Sequence, residues 1–241
     1  MYDTVNIIIP VYNEGPNIGR TLAEIAEKIK NLHRVFVVYD FDQDNTLPVV
    51  REFMQKRKNI SLVKNKYGNG VLNAIRTGFA AVDDGVAVVV MADLSDDIGK
   101  IDQMFAKINQ GYDIVCGSRY VKGGGQIGGP GFKKMLSWLA GVSLYYLTGV
   151  PTRDISNSFK MYTKTVLNDI EVQSRGGFEV GMEITVKAFF KGYKITEVPT
   201  VWHDRSTGKS RFKLWKWLPK YIHWYLFAIK SKVRGLVKHG G

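Results

Sequence analysis

The chain has 241 residues, enough for one large α/β domain, and its 45% apolar content excludes a disordered chain. The 34 Lys and Arg against 22 Asp and Glu give a formal net charge of +12, which favours an anionic partner: a nucleotide, a nucleic acid or an anionic membrane surface. One cysteine, Cys116, excludes an internal disulfide or a cysteine-rich metal site, and no apolar run reaches the ~18–20 residues that would span a bilayer.

Val5 to Ile9 reads as a strand stopped by Pro10, with no secretory signal before it. Tyr12 to Gly15 forms a turn, and Asn17 is expected to cap a helix to about Ile29, whose apolar positions Ile18, Leu22, Ile25 and Ile29 recur at helical spacing. Val35 to Val38 is a second strand. Asp40 leaves it either to accept from a ribose or base edge or to close a turn. For Asp42 and Asp44 the turn is preferred. A helix over Leu47–Lys56 and a strand over Ile60–Val63 follow, then Asn65 to Gly70 and a helix over Val71–Ala81. The two glycines before that helix match neither a Walker A loop nor a dinucleotide fingerprint.

The most apolar stretch is Val86 to Met91, a β-branched run of the kind buried on both faces of a parallel sheet. Asp93, Ser95, Asp96 and Asp97 crowd just beyond it. Ligands of open α/β sheets bind past the carboxyl ends of the strands, so these residues suit a hard cation holding phosphate oxygens. A solvated turn before the helix over Ile98–Asn109 is the plainer reading. Tyr112 to Cys116 is a strand ending in Gly117-Ser118-Arg119-Tyr120. The glycines from Gly123 to Gly129 describe a mobile loop. Arg119, at its base, either clamps phosphate or makes a structural ion pair.

Phe132 to Leu147 is a strongly apolar helix interrupted by Ser137 and Ser143, with Lys133 and Lys134 at its front. Thr152 to Ser156 precedes the apolar Phe159 and Met161. Leu167 and Ile170 belong to a short helix, and Gly176 to Glu183 enters another that runs to about Phe190. Glu183 is either a base or an acid at a helix start. Ile195 to Val198 is a strand, and Val201 to Arg211 a polar loop. From Leu214 to Val233 runs a basic aromatic helix. Its apolar face would be Leu214, Leu218, Ile222, Tyr225 and Ile229, with Trp215, Trp217 and Trp224 at headgroup depth and lysines toward anionic lipid. Packing against the Phe132–Leu147 helix is the alternative. The four histidines are too dispersed for a zinc site.

Acids at a strand end, separated arginines and a basic aromatic helix together suit transfer from a nucleoside-diphosphate donor. The motifs Ile9-Pro10-Val11-Tyr12-Asn13-Glu14, Asp40, Met91–Asp97, Gly117–Tyr120, Arg153-Asp154 with Phe159, Glu197-Val198-Pro199 and Arg205–Arg211 make the chain resemble the family 2 glycosyltransferases. Within these it is similar to the polyprenyl-phosphate (dolichyl-phosphate) hexosyltransferases.

The resemblance implies an α/β fold of GT-A type, a mostly parallel central sheet flanked by helices, over residues 1–212, with an amphipathic C-terminal segment over 213–241. It implies inverting transfer of mannose or glucose from a GDP- or UDP-linked sugar to a polyprenyl phosphate. Pro10, Tyr12, Glu14, Asp40, Asp93, Arg119 and Arg211 would bind the donor. Asp93, Ser95 and Asp96 would hold Mg²⁺ or Mn²⁺. Asp93, Arg119, Arg153 and Arg205 would act in transfer. Met91 stands where the family's metal motif often has its first acid, and thioether sulfur is a poor ligand for these ions.

The expected setting is the cytoplasmic face of an anionic membrane, attached peripherally or through a separate membrane-protein partner, with no nucleic acid. The alternatives are transfer to a sugar hydroxyl of a glycolipid or polysaccharide, and a non-catalytic membrane or nucleic-acid binding module.

Overall fold

The computed structural model describes residues 1–204 and 214–235, the latter without the side chains of 214–216. The chain runs β1 (Val5–Pro10), α1 (Gly15–Lys28), β2 (His33–Tyr39), α2 (Thr46–Lys56), β3 (Ile60–Lys64), α3 (Val71–Ala80) and β4 (Val86–Val89). A single 3-10 turn, Ile98–Lys100, leads into α4 (Ile101–Asn109). There follow β5 (Ile114–Ser118), β6 (Gly125–Ile127), α5 (Gly131–Thr148), β7 (Lys160–Thr163), α6 (Lys164–Asp169) and α7 (Val180–Phe190). The last elements are β8 (Ile195–Pro199), β9 (Val201–His203) and α8 (Leu214–Val233).

Seven strands form one sheet in the order β3-β2-β1-β4-β7-β5-β8. All its pairings are parallel except those of β7, which lies antiparallel between β4 and β5. Alternate strand residues feed opposite faces, as the two-residue period requires. Ile7, Ile9, Val86 and Val88 join Ile18, Leu22 and Ile101 on the α1/α4 side, and Ile8, Ala87 and Val89 join Ile75, Phe79 and Ile184 on the α3/α7 side. Burial on both faces is why these strands are continuous runs of Val and Ile. A third cluster joins Leu144 of α5, Met182 and Val186 of α7, and Trp224 and Ala228 of α8.

Several expectations change. Asn17 is not the cap of α1. Glu14 occupies that position, and Asn17, buried one turn in, donates from Nδ2 to Glu14 Oε2 at 2.8 Å. Pro10 does not end the β2 ladder, because the Val11 N–H still donates to Val38 O at 2.9 Å. Part of the glycine-rich segment is ordered as β6, which pairs with β9 in a separate small sheet. No strand was expected at Lys160–Thr163, which the sequence shows only as an apolar patch.

The division at residue 212 falls in the undescribed stretch, and α8 beyond it packs on both α5 and α7. The face α8 buries there carries Trp224, Ala228 and Ser231, whereas of the face expected to be apolar Leu218, Tyr225 and Ile229 are half-buried and Ile222 is exposed. Trp224 is thus a core residue. Its indole N–H donates to Ser174 Oγ at 3.0 Å, so it does not sit at headgroup depth. α5 ends at Gly149, whose φ of +83° is the left-handed cap that glycine adopts without strain. Gly141 lets α5 approach the turn before β7, since a Cβ there would overlap the Arg153 carbonyl.

Candidate active site

The strand order reverses at β1, with β2 and β3 on one side and β4 on the other. In open α/β sheets a ligand crevice forms beyond the strand ends at such a switch point. A cleft of about 1040 Å³ opens there. Its floor is Pro10 at the end of β1, Tyr12 and Glu14 after it, Asp40 after β2, and Met91, Asp93 and Ser95 after β4.

Both turns are tightly held. Asp44, fully buried, accepts from the Asn13 and Thr46 amides, and Asn13 has a φ of +54°. The only other non-glycine residue with positive φ among the described residues is Leu94, at +62°. A bulky side chain in that region costs on the order of 1–2 kcal/mol, so the Asp93 turn is imposed by its surroundings. Those are Thr21, which donates to Ala92 O at 2.8 Å, and the His203 N–H of β9, which donates to Ser95 O at 3.0 Å.

Within that turn the acids separate. Asp93 and Ser95 line the cleft. Asp96 does not. It is buried and accepts from the Met91 N–H at 2.8 Å, and burial, reinforced by Asp93 and Asp97, pushes its carboxyl up to about 7. Of the three residues expected to hold the metal, Asp96 is the one that lies outside the cleft lining, where its carboxyl braces the turn from below. Asp40 lines the cleft with both oxygens engaged, one by Asn65 Nδ2 and one by the Gly70 N–H, each at 2.8 Å. It fastens the loop before α3 at the cleft edge. Asp42 lies outside, paired with Lys64. Tyr12 is 47% exposed and meets Phe41 edge-on at 5.4 Å, an aromatic edge on which a base can stack.

The other end of the cleft is cationic and apolar. Arg119 follows β5, makes the structural ion pair considered for it and also lines the cleft. Its backbone N–H, Nε and Nη2 donate to the Asp154 carboxylate at 2.9, 2.7 and 2.8 Å. The guanidinium also reaches Ser137 Oγ at 2.9 Å and Gln126 Oε1 at 3.3 Å, and it lines the cleft. Burial lowers its pKa, but the Asp154 charge more than offsets this and holds it above the ordinary value. Around it stand Lys133, Lys134 and Ser137 of α5 and Ser156. Farther out, Trp202 of β9 and Trp217 and Tyr221 of α8 close the wall.

Arg153 is not brought to this site. Its N–H and Nη1 donate to the Glu197 carboxylate at 2.8 and 3.2 Å, and its guanidinium stacks 4.4 Å from the Tyr145 ring centre, away from the cleft lining. Nor is Glu183 there. Fully buried on α7, it accepts from the Gln173 and Ser174 amides and Lys187 Nζ. Arg205 and Arg211 lie outside the described residues.

Ser137, Ser156, Gln126 and Tyr221 are site residues that sequence reasoning missed. For Ser137 a signal existed, a hydroxyl inside an otherwise apolar helix. Ser156 precedes β7, and because β7 runs backwards its start, rather than its end, meets the cleft.

Residues 6–171 match the family model described as glycosyl transferase family 2. The dolichol-phosphate mannosyltransferase of Pyrococcus furiosus is 31% identical over 87% of this chain, which spans only 59% of that protein's length. The polyprenol monophosphomannose synthase of Mycolicibacterium smegmatis is 26% identical over 96% of this chain and 91% of its own. Among solved structures, glucosyl-3-phosphoglycerate synthase from Mycobacterium tuberculosis, in complex with Mn²⁺, UDP-glucose and phosphoglyceric acid, superposes with a TM-score of 0.71. That match covers 95% of this chain and 80% of the other at 14% identity.

Proposed function

The chain belongs to glycosyl transferase family 2 and is a glycosyltransferase of GT-A fold, and from that premise we propose that it transfers a hexose, mannose or glucose, from a GDP- or UDP-linked donor to a polyprenyl phosphate. The observation that carries this reading is the two-ended cleft. One end, at the β1/β4 switch point, offers an aromatic edge and carboxylates suited to a nucleoside. The other gathers Arg119, Lys133, Lys134, Ser137 and Ser156 beside apolar walls from α5 and α8. A phosphate on an apolar chain matches that second end. The two relatives described above are transferases to such acceptors.

In this reading a phosphate oxygen of the acceptor attacks the anomeric carbon from the face opposite the diphosphate. The C1–O bond to the acceptor forms as the C1–O bond to the nucleoside diphosphate breaks, and the configuration inverts. The second pKa of a phosphate monoester is about 6, so the nucleophile is already ionised at neutral pH and needs no general base. Arg119, held rigid by Asp154 through Nε and Nη2, lines the cleft with Nη1 on Gln126 and the Ser137 and Ser156 hydroxyls beside it, and orients the acceptor phosphate. Glu183, the base considered for a sugar-hydroxyl acceptor, is buried on α7 and does not line the cleft.

The donor set fits a divalent cation that arrives with the nucleotide. Asp93 places one carboxylate in the cleft beside Ser95, and no group of three His, Cys, Asp or Glu among the described residues forms a resident metal site. Mg²⁺ and Mn²⁺ need few protein ligands when phosphate oxygens complete the shell. When bound, such an ion supplies neutralisation of the departing diphosphate.

An acceptor of this kind lives in a bilayer, and we place the enzyme peripherally on an anionic membrane, on its cytoplasmic face, alone or with a membrane-protein partner. Among the described residues, no helix is long and apolar enough to cross. The exposed apolar side chains concentrate on α5, at Phe132, Met135, Trp138, Leu139 and Tyr146. Neither 131–148 nor 214–233 contains an acidic residue, and both carry lysines. The test is a donor-by-acceptor screen with GDP- and UDP-sugars against polyprenyl phosphates and oligosaccharides. Product on a polyprenyl phosphate is expected. Transfer to oligosaccharides alone overturns the acceptor assignment.

A further inference from the structure

Lys160, the first residue of β7, is fully buried in the centre of the sheet. Its Nζ donates to the carbonyls of Ile155, at 3.1 Å, and Asn157. Opposite it on β5 is Cys116, whose thiol burial pushes up to about 11, so it stays neutral and is no counter-ion. The two nearby carboxylates, Asp154 and Glu197, are taken by Arg119 and Arg153. Neither carboxylate is therefore left to pair with Lys160, whose acceptors are the two carbonyls. A buried ammonium in that position is costly, and burial lowers its pKa.

The two carbonyls that Lys160 holds bracket Ser156. That hydroxyl lies 2.6 Å from Ser137 Oγ and within 3.4 Å of Arg119 Nη2. Asn157 fastens the far side of the turn, its Nδ2 donating to Gly117 O at 2.9 Å. Asp154, which holds Arg119, opens the same turn. Ser156, Asn157 and Ser158 all line the cleft.

We infer that Lys160 is a positioning residue for the acceptor phosphate. Its Nζ pins the 154–157 turn so that Ser156 and Arg119 converge where an entering phosphate would be held. The inference rests on the phosphate-acceptor reading. It adds a residue that touches no substrate and whose loss changes acceptor handling alone.

The test uses the full chain with Lys160→Met, which removes donor and charge, and Lys160→Gln, which keeps a donor. Farnesyl phosphate serves as acceptor. Because hydrogen bonds to charged groups are at stake, the acceptor KM is expected to rise about tenfold or more in Lys160→Met, with donor KM unchanged, and by less in Lys160→Gln. The rise in melting temperature that farnesyl phosphate or inorganic phosphate gives the wild type should shrink in both. Variants that melt lower yet keep the wild-type acceptor KM and phosphate-induced shift would make Lys160 an ordinary core residue and overturn the inference. If neither variant folds, hydrogen exchange of the wild type decides. Amides over 154–158 are expected to gain protection with farnesyl phosphate, and unchanged exchange overturns the proposal. A wild type that uses no polyprenyl phosphate but binds inorganic phosphate, with binding lost in the variants, would refute the acceptor reading and leave the role of Lys160 in anion binding intact.

Discussion

Asp96→Asn should flatten the pH dependence of stability. The Asp96 carboxyl lies beneath the Asp93 turn, buried, with the Met91 N–H as its backbone donor. Burial first, then Asp93 and Asp97, raise it from 3.8 to about 7, against the pull of the Met91 hydrogen bond and Arg119. A carboxyl raised on folding holds its proton more tightly in the folded state. Its contribution is complete below the unfolded value near 4 and is lost as the pH climbs through 7. At about 1.4 kcal/mol per pH unit, the span corresponds to ~4 kcal/mol at most, since the turn can admit water once it carries charge. Asn keeps an oxygen for the Met91 N–H and does not ionise. Urea unfolding of both proteins in EDTA, at about pH 4.5, 6 and 8, is the assay. Near pH 4.5 the two should differ little, and at pH 8 the variant should be more stable by ~2–4 kcal/mol. A wild-type-to-variant difference that stays constant across the range would refute the buried, proton-holding role.

Asp154→Asn weakens the partner of a buried guanidinium and should cost about 3–5 kcal/mol in chemical denaturation; a loss below ~1 kcal/mol would show that solvent replaces Asp154 at Arg119. Arg153→Lys should leave kcat and both KM values near wild type, because its guanidinium rests on Glu197 and Tyr145. A tenfold rise in acceptor KM (~1.4 kcal/mol) would return it to the site. Replacing Phe132, Trp138 and Leu139 by Ser should abolish flotation on anionic vesicles at low salt, each side chain contributing about 1.5–3 kcal/mol when buried in lipid. Trp224→Phe should instead lower stability by about 1 kcal/mol through its lost bond to Ser174 and leave flotation unchanged. The reverse pattern would move the docking surface to α8.

Much of the fold was legible because the signals are local. Runs such as Val5–Ile9 and Val86–Val90 have one stable use, as strands covered on both faces, and acids that follow them cannot join that core. This located Asp40 and Asp93 at strand ends. The basic aromatic character of Leu214–Val233 marked a helix, and its ends agree with α8. The strand Lys160–Thr163 was not legible, since four residues with a lysine first carry no period. Only the sheet, by enclosing them between β4 and β5, makes them a strand and buries the lysine.

Partner choice was likewise open. Arg119 and Arg153 are alike in sequence, yet the turn before β7 sets one at the cleft on Asp154 and the other behind it on Glu197. Composition announced two apolar, acid-free helices but not which faces they would turn to each other. Packing of α8 on α5 and α7 buries Trp224 and leaves the Phe132–Tyr146 side of α5 exposed. The sequence by itself determined the elements, the strand-end acids and the excess of positive charge, because each depends on residues close in the chain. Which carboxylate holds which arginine, which acid faces the cleft and which helix presents an apolar surface were decided by tertiary structure, because each depends on what a distant segment covers.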